Sequence, residues 1–393
     1  MKKKMKKAFT LVELLVVIAI LAILSTVAVV GYNSFTEKAR KSADEQAVAQ
    51  MNTALMAQDI NDELNNIIDV QEFLMECDLD IKEYKPLSKD AFFFWDKSEN
   101  TILYTDKDYK VTYPADQKDN VDTSDWYSLS GDINEADYTG TVENNGTVTV
   151  ASAEQLYKLS NDYNGESLTI NLNVASGKLN MMGASIVFNV KDGNNNFTMT
   201  SDSPVTISNI GQGKVSIAGK SSTDGLVKEF GGGIIANSNT TGTILFKNIT
   251  IADSSFGSFE VCSVGAFVGR LQTNATIIFD NCHVENCDIN AWYRAAGFVG
   301  LTHSGASNGA TVEFKNGCTL SDSTITTKNG LAAQLIGTAP VADEFVVGLN
   351  NVSVSGATLE CLEGNRKEKY PAHNNNALYH TCDNNEVYST VTR

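Results

Sequence analysis

Thr243-Ile-Leu-Phe-Lys-Asn248, Thr276-Ile-Ile-Phe-Asp-Asn281, Thr311-Val-Glu-Phe-Lys-Asn316 and Val346-Val-Gly-Leu-Asn-Asn351 are four versions of one hexapeptide. Their anchors Phe246, Phe279, Phe314 and Leu349 stand 33, 35 and 35 residues apart. Self-similarity at a fixed period of this size is the mark of stacked, repeated units. Two residues before each anchor come Ile244, Ile277, Val312 and Val347, so the apolar period is two, that of a strand. Two residues after each anchor comes Asn. Asn accepts left-handed backbone, and stacked amides can bond one another, so this column predicts a turn.

Past the Asn column the alternation resumes with Ile249, Cys282, Cys318 and Val352, then Ile251, Val284, Leu320 and Val354, provided Gly317 is a one-residue insertion. These columns are expected to point inward. A second turn column, Asp253, Asn286, Asp322 and Gly356, leads to Phe256, Ile289, Ile325 and Leu359. Between copies lie Gly265-Ala-Phe-Val-Gly269 and Ala296-Gly-Phe-Val-Gly300, with a looser copy ending at Gly337. Three short strands and two or three turns per repeat predict a right-handed parallel β-helix over residues 151–393, with a twisted β-sandwich as the alternative. Upstream, Leu168-Ile170-Leu172, Ile186-Phe188-Val190 and Val205-Ile207 add up to three further coils, after a short helix that Ser152 and Gln155 open as a capping box. The stretch Asp192-Gly193-Asn194 resembles the opening coils of bacterial surface β-helix proteins.

The other end of the chain is written differently. Five lysines in the first seven residues precede Phe9 to Val30, a run in which only Thr10, Glu13, Ser25 and Thr26 are polar. At about 1.5 Å per residue such a run spans a bilayer, and the lysines predict a cytoplasmic N-terminus with the remainder exported. A carboxylate within it costs roughly 2–3 kcal/mol on insertion scales, so Glu13 calls for a partner. Lys7-Ala-Phe-Thr-Leu-Val-Glu13 resembles the cleavage and methylation motif of type IV prepilins and pseudopilins. The resemblance implies a prepilin peptidase and methyltransferase that cuts between Ala8 and Phe9 and methylates Phe9. It also implies that Glu13 meets a neighbouring subunit's Phe9 amine during filament assembly. The family's usual Gly before the cut is Ala8 here, which implies slower processing.

Past the membrane the helical pattern continues without Pro through Ala43, Ala47, Met51, Leu55 and Met56. The expected fold class is therefore α+β: a leader over 1–8, a pilin-type helix over 9–60 with its membrane segment at 9–30, and a small α/β head over 61–115. A linker over 116–150 and the β-helix come next. In the head, residues 62–77 read as a short helix, and Ala91 to Trp95, Thr101 to Thr105 and Tyr109 to Tyr113 read as strands. The turn-rich, acidic stretch from Asp116 to Gly146 shows no period.

With 42% hydrophobic residues the chain can bury a core, and with 30 basic against 47 acidic residues its net charge is −17. Since five of the positive charges sit in the first seven residues, the remainder carries −22, which repels nucleic acid. Seven cysteines on an exported chain leave at least one unpaired inside the molecule. Cys282 and Cys318 share an inward column, either as a disulfide or as buried thiols acting as small hydrophobes. No Cys-x-x-Cys pair exists and the four histidines have no ligand spacing with the cysteines, so neither a metal nor a cofactor is expected. His283 and Glu285 share the outward side of one strand, with Arg270 and Arg294 in flanking segments; a lone polar spot reads as solvated surface, and no catalytic residue is assigned. The function expected is a membrane-anchored, exported pilin-like subunit, minor rather than bulk, that displays the β-helix at the cell surface for adhesion to an extracellular glycan or protein. Alternatives are a carbohydrate-active β-helix enzyme anchored by a pilin-type helix, and a pseudopilin of a secretion or DNA-uptake system.

Overall fold

The computed structural model describes residues 11–57, 64, 66–79, 84–211, 216–220, 227–259, 261–271, 275–302, 311–328, 330–337, 346–362 and 387–388. Within described elements, the side chains at 11–13, 21–31, 33, 68, 216–220, 227–230, 302, 331, 346–347 and 387–388 are not among those described.

Helix α1 runs from Leu11 to Ala57 without a break, 47 residues or about 70 Å. Its second half buries Val48, Met51 and Leu55, a spacing of three and four that lines one face. Met56, expected on the same stripe, is 84% exposed, because it lies one residue past that face. Helix α2, Ile67–Glu76, starts at a reciprocal cap: Asp69 N donates to Asn66 Oδ1 at 3.0 Å, and Asn66 N donates to Asp69 Oδ2 at 3.3 Å. Strands β1 (Ala91–Asp96), β2 (Thr101–Asp106) and β3 (Val111–Tyr113) form where the sequence predicts, and are antiparallel. The free edge of β2 beside short β3 is completed by α1, whose Asn52 side chain imitates a strand: Ile102 N donates to Oδ1 at 2.6 Å, and Nδ2 donates to Ile102 O at 3.0 Å. Asp44 of α1 ties down the loop before β1, accepting from the backbone N–H groups of Leu87 and Ser88 at 2.7 and 2.9 Å.

The stretch expected as a linker, 116–150, is built structure. Trp126–Ser128 is strand β4, which pairs antiparallel with β1 and gives the sheet order β3-β2-β1-β4. Residues Gly146–Val150 already pair in parallel with Leu168–Leu172, so the second sheet system begins before residue 151. A three-residue strand preceded by Ser124 and Asp125 carries no readable period, which is why the pattern hid it. The head sheet is covered on both faces. Phe93, Trp95, Ile102 and Tyr104 pack with α1 and α2, while Phe94, Leu103, Val111 and Trp126 join the core of the downstream sheets. This explains why Ala91-Phe-Phe-Phe-Trp95 is apolar without alternation.

Downstream, parallel strands repeat in one order. Thr243–Phe256, Ser263–Gly265 and Val268–Leu271 are followed by Thr276–Asp280, His283–Ala291, Arg294–Ala296 and Val299–Thr302, and then by Thr311–Lys315 and its successors. Each round pairs with the next: the Thr243–Phe256, Thr276–Asp280 and His283–Ala291 strands share one large sheet, while Ser263–Gly265 with Arg294–Ala296 and Val268–Leu271 with Val299–Thr302 lie in two others. The register aligns Val148, Ile170, Met199, Phe246, Phe279, Phe314 and Leu349 in one column. The columns through Ile251 and through Phe256 also pair as read, and Gly317, at φ +88°, is the extra residue. Both turn columns are left-handed at every member: Asn248, Asn281, Asn316 and Asn351 lie at φ +52° to +58°, and Asp253, Asn286, Asp322 and Gly356 at φ +48° to +62°. Their side chains connect the rounds. Asn281 Nδ2 donates to Asn248 Oδ1 at 2.9 Å, and Asn286 Nδ2 to Asp253 Oδ1 at 2.8 Å, whereas Asn316 turns to the Asp280 carboxylate.

In-register pairing stacks like on like. Phe246 lies over Phe279 with centroids 5.7 Å apart and rings 7° from parallel, and Phe267 lies over Phe298 at 5.3 Å and 6°. The two stacks meet edge to face, Phe279 against Phe298 at 5.1 Å and 70°. Removing one such ring costs about 3–5 kcal/mol. In the strand just after Phe298, Gly300 is held so near the Val264 carbonyl of the preceding round that a Cβ would overlap it. Helix α3, Ala153–Asp162, is capped as predicted, Gln155 N donating to Ser152 Oγ at 3.3 Å, and adds Leu156 and Leu159 to the core.

Candidate functional site

Ala8 and Phe9 lie outside the described residues, and of Glu13 only its place in the first turns of α1 is described. The residues just after Glu13 are unusual for a folded chain. Leu14, Leu15, Val16, Val17, Ile18 and Ile20 are consecutive or nearly so and 44–60% exposed, so the helix is apolar all round with no core of its own. Among the described residues no helix is long and apolar enough to cross a membrane, and the predicted span 9–30 is described only in part. Beyond it Tyr32 and Phe35 are 71% and 72% exposed, and the helix becomes polar at Glu37 and Arg40, which pair at 3.1 Å.

The head is joined to the parallel rounds by a polar seam. Asn209 stands one round upstream of Asp253 in the second turn column, with φ +52°. Its Nδ2 donates to Ser124 O at 2.8 Å and to Asn180 Oδ1 at 2.9 Å, and its Oδ1 accepts from the Tyr127 hydroxyl at 3.1 Å. Burial, with Asp125 and Asp253 nearby, pushes the Tyr127 hydroxyl up to about 12, so it stays a neutral donor. Asn180 Nδ2 reaches Thr123 O at 2.8 Å, and Ser128 N donates to Met182 O at 2.7 Å. Sequence reading starts this column at Asp253 and so misses Asn209; the signal was one more step back along the same register.

The four polar residues singled out in the sequence are not brought together, since His283 and Glu285, Arg270, and Arg294 belong to three different sheets. His283 is a rung of the ladder, Nδ1 against Thr319 Oγ1 at 2.8 Å and Nε2 against Asn281 Oδ1 at 3.2 Å. Burial holds its pKa below the usual histidine value, with Glu285 opposing. Arg270 is only 6% exposed, and burial lowers its pKa, with the Cys262 thiol opposing.

Cys282 and Cys318 pair in register but are free thiols, Cys282 N donating to Cys318 Sγ at 3.4 Å. Burial pushes Cys318 up to about 11 and Cys287 up to about 12, which leaves them unreactive. Among the described residues no group of three His, Cys, Asp or Glu side chains could hold a metal ion. An open cleft of about 260 Å³ in the head is lined by Asp96, Glu99, Asp122 and Asp125. The Asp96 carboxylate there is already taken up, accepting from Ser98, Asn120 and the Trp126 indole.

Compared with known families, residues 3–29 match the prokaryotic N-terminal methylation motif. That match supports a type IV pilin-like or pseudopilin-like N-terminus of an exported subunit. No curated protein and no solved structure matches the chain.

Proposed function

We propose that this chain is a minor, membrane-anchored subunit of a type IV pilin-like filament or pseudopilus, whose parallel rounds form a β-helix held outward as an adhesive display surface. The observation that carries the reading is the methylation motif at residues 3–29 running directly into the 47-residue helix α1. The bare apolar surface of α1 from Leu14 to Ile20 suits lipid before assembly and neighbouring helices afterwards. In this reading Ala8 and Phe9 flank the processing cut, Phe9 carries the methyl group, and Glu13 pairs with the next subunit's N-terminus. In-register parallel pairing, repeated turn columns and a continuous apolar core support the β-helix. The bulk of some 240 residues after the head supports a minor position rather than the repeating body of the filament.

N-terminal sequencing and intact mass of the protein from its native envelope test the reading. A chain beginning at methylated Phe9 is expected. A chain still beginning at Met1, or cut after residue 25, would sink it. The protein is read as a non-enzyme, because His283 is committed to ladder bonds and the arginines lie on other sheets. Incubation with a panel of polysaccharides, with and without calcium, is expected to release no products.

A further inference from the structure

The chain has three tryptophans and five arginines. Trp95 and Trp126 are sealed in the head; Trp292 is half-buried and is followed directly by Tyr293 and Arg294, also half-buried. Between Arg40 and Arg366 the only arginines are Arg270 and Arg294. Backbone bonds lay this corner against its neighbours, Trp292 N donating to Val261 O at 2.7 Å and Tyr293 N to Cys262 O at 3.2 Å. In the following round Lys328 N donates to Ala291 O at 2.9 Å, and Gly330 sits so close to the Tyr293 carbonyl that no Cβ would fit. One round therefore carries an aromatic pair and a guanidinium where the round before has Val261 and Cys262 and the round after has Lys328 and Gly330. The Trp292 and Tyr293 rings are 5.9 Å apart and 30° from parallel. The Arg294 guanidinium lies 4.6 Å over the Tyr293 ring, with Nη2 donating to the Tyr293 hydroxyl at 3.4 Å.

We propose that Trp292, Tyr293 and Arg294 form a binding platform for an acidic sugar, a uronate unit of an extracellular polysaccharide. A pyranose has an apolar C–H face that stacks on a half-exposed aromatic ring, and such rings give contact area at little cost in rotamer freedom. The guanidinium, oriented by its stacking on Tyr293, is a planar cation whose N–H donors suit a carboxylate. Charge selects the ligand: the chain after its first seven residues carries −22, so an anion is favoured only beside a cation, and at this corner Arg294 supplies it. A protein partner needs roughly 800 Å² on each side, far more than three side chains supply, whereas a sugar needs one ring face. The proposal rests on the reading of the rounds as a displayed surface.

The test uses the full-length protein in detergent, with oligogalacturonate as the acidic probe and maltooligosaccharide of the same length as the neutral one. Binding is followed by calorimetry and by tryptophan emission, which reports Trp292 against the two buried indoles. Oligogalacturonate is expected to bind and shift the emission, with maltooligosaccharide at least tenfold weaker. W292A is expected to weaken oligogalacturonate binding at least tenfold, and R294Q about tenfold, with R294K recovering part of the loss. Should W292A fail to fold, R294Q decides, because it removes the charge of a half-exposed side chain and leaves the buried core untouched. Absence of oligogalacturonate binding to the wild type overturns the proposal, as does equal binding by wild type, W292A and R294Q. Either result leaves the N-terminal sequence untouched, so failure of the platform and failure of the pilin-like reading are told apart.

Discussion

The first half of α1 and the parallel rounds are built from the same apolar side chains and treat them in opposite ways. Between Leu14 and Ile20 the Leu, Val and Ile side chains stand in the open, while Ile244, Ile277, Val312 and their neighbours are sealed. The rounds are self-sufficient because each one is the core of the next. The helix has no such internal partner, so its apolar surface has meaning only against lipid or other chains. Stability and assembly should accordingly map to different ends of the molecule.

The largest expected effect lies in the rounds. Phe279→Ala removes the ring that stacks on Phe246 and meets Phe298 of the other stack edge to face, and should lower the unfolding free energy by about 3–5 kcal/mol, read by urea denaturation. By contrast Leu14→Ala should leave the denaturation midpoint in place while reducing recovery of the protein in a membrane or filament fraction. Equal loss of stability from both would erase the distinction between the two regions.

Next in size is Asn209→Ala, which removes the seam bonds to Ser124, Asn180 and Tyr127 and puts an alanine at φ +52°. About 1–3 kcal/mol should be lost. Limited proteolysis should then open the stretch between the head and the first rounds before the rounds themselves. A smaller effect belongs to the other end. Ala8→Gly restores the residue usual before the cut, and should raise the processed fraction seen by intact mass without moving the denaturation curve.

The smallest effect is one of pH. The His283 pKa is lower folded than unfolded, so on acidification the unfolded chain takes up the proton first. Stability from this source is complete above the ordinary histidine value of about 6.5 and declines as pH falls through it toward the folded pKa. His283→Gln should flatten that part of the pH–stability curve; an unchanged slope would mean that His283 contributes nothing to it.

The same contrast governs how much of the molecule is legible in its sequence. The rounds can be read almost residue by residue, because a strict period fixes register, and register fixes which side chains face inward. Phe246 over Phe279, the left-handed Asn column and the insertion at Gly317 are all visible before any geometry. The seam is not, because β4 is three residues long and Asn209 lies where the repeat has not yet become regular. The unbroken apolar run from Ala91 to Trp95 does announce a sheet covered twice, and given its full weight it argues against a bare linker at 116–150. The Trp292 platform escapes for the opposite reason: it departs from the columns, and reading by column passes over a feature that occurs once.

The in-register columns also bear on how such a chain changes over generations. Phe246, Phe279 and Phe314 occupy one structural address at spacings of 33 and 35 residues, each followed by a left-handed Asn. A genetic exchange that joins one address to the next deletes or duplicates a whole round, and the new neighbours meet with ring on ring and turn on turn. Each event shortens or lengthens the stack of rounds by one strand spacing, about 4.8 Å, without a new interior having to be invented. The length of the stack is thus inherited in whole increments, and natural variation in it should fall on that ruler.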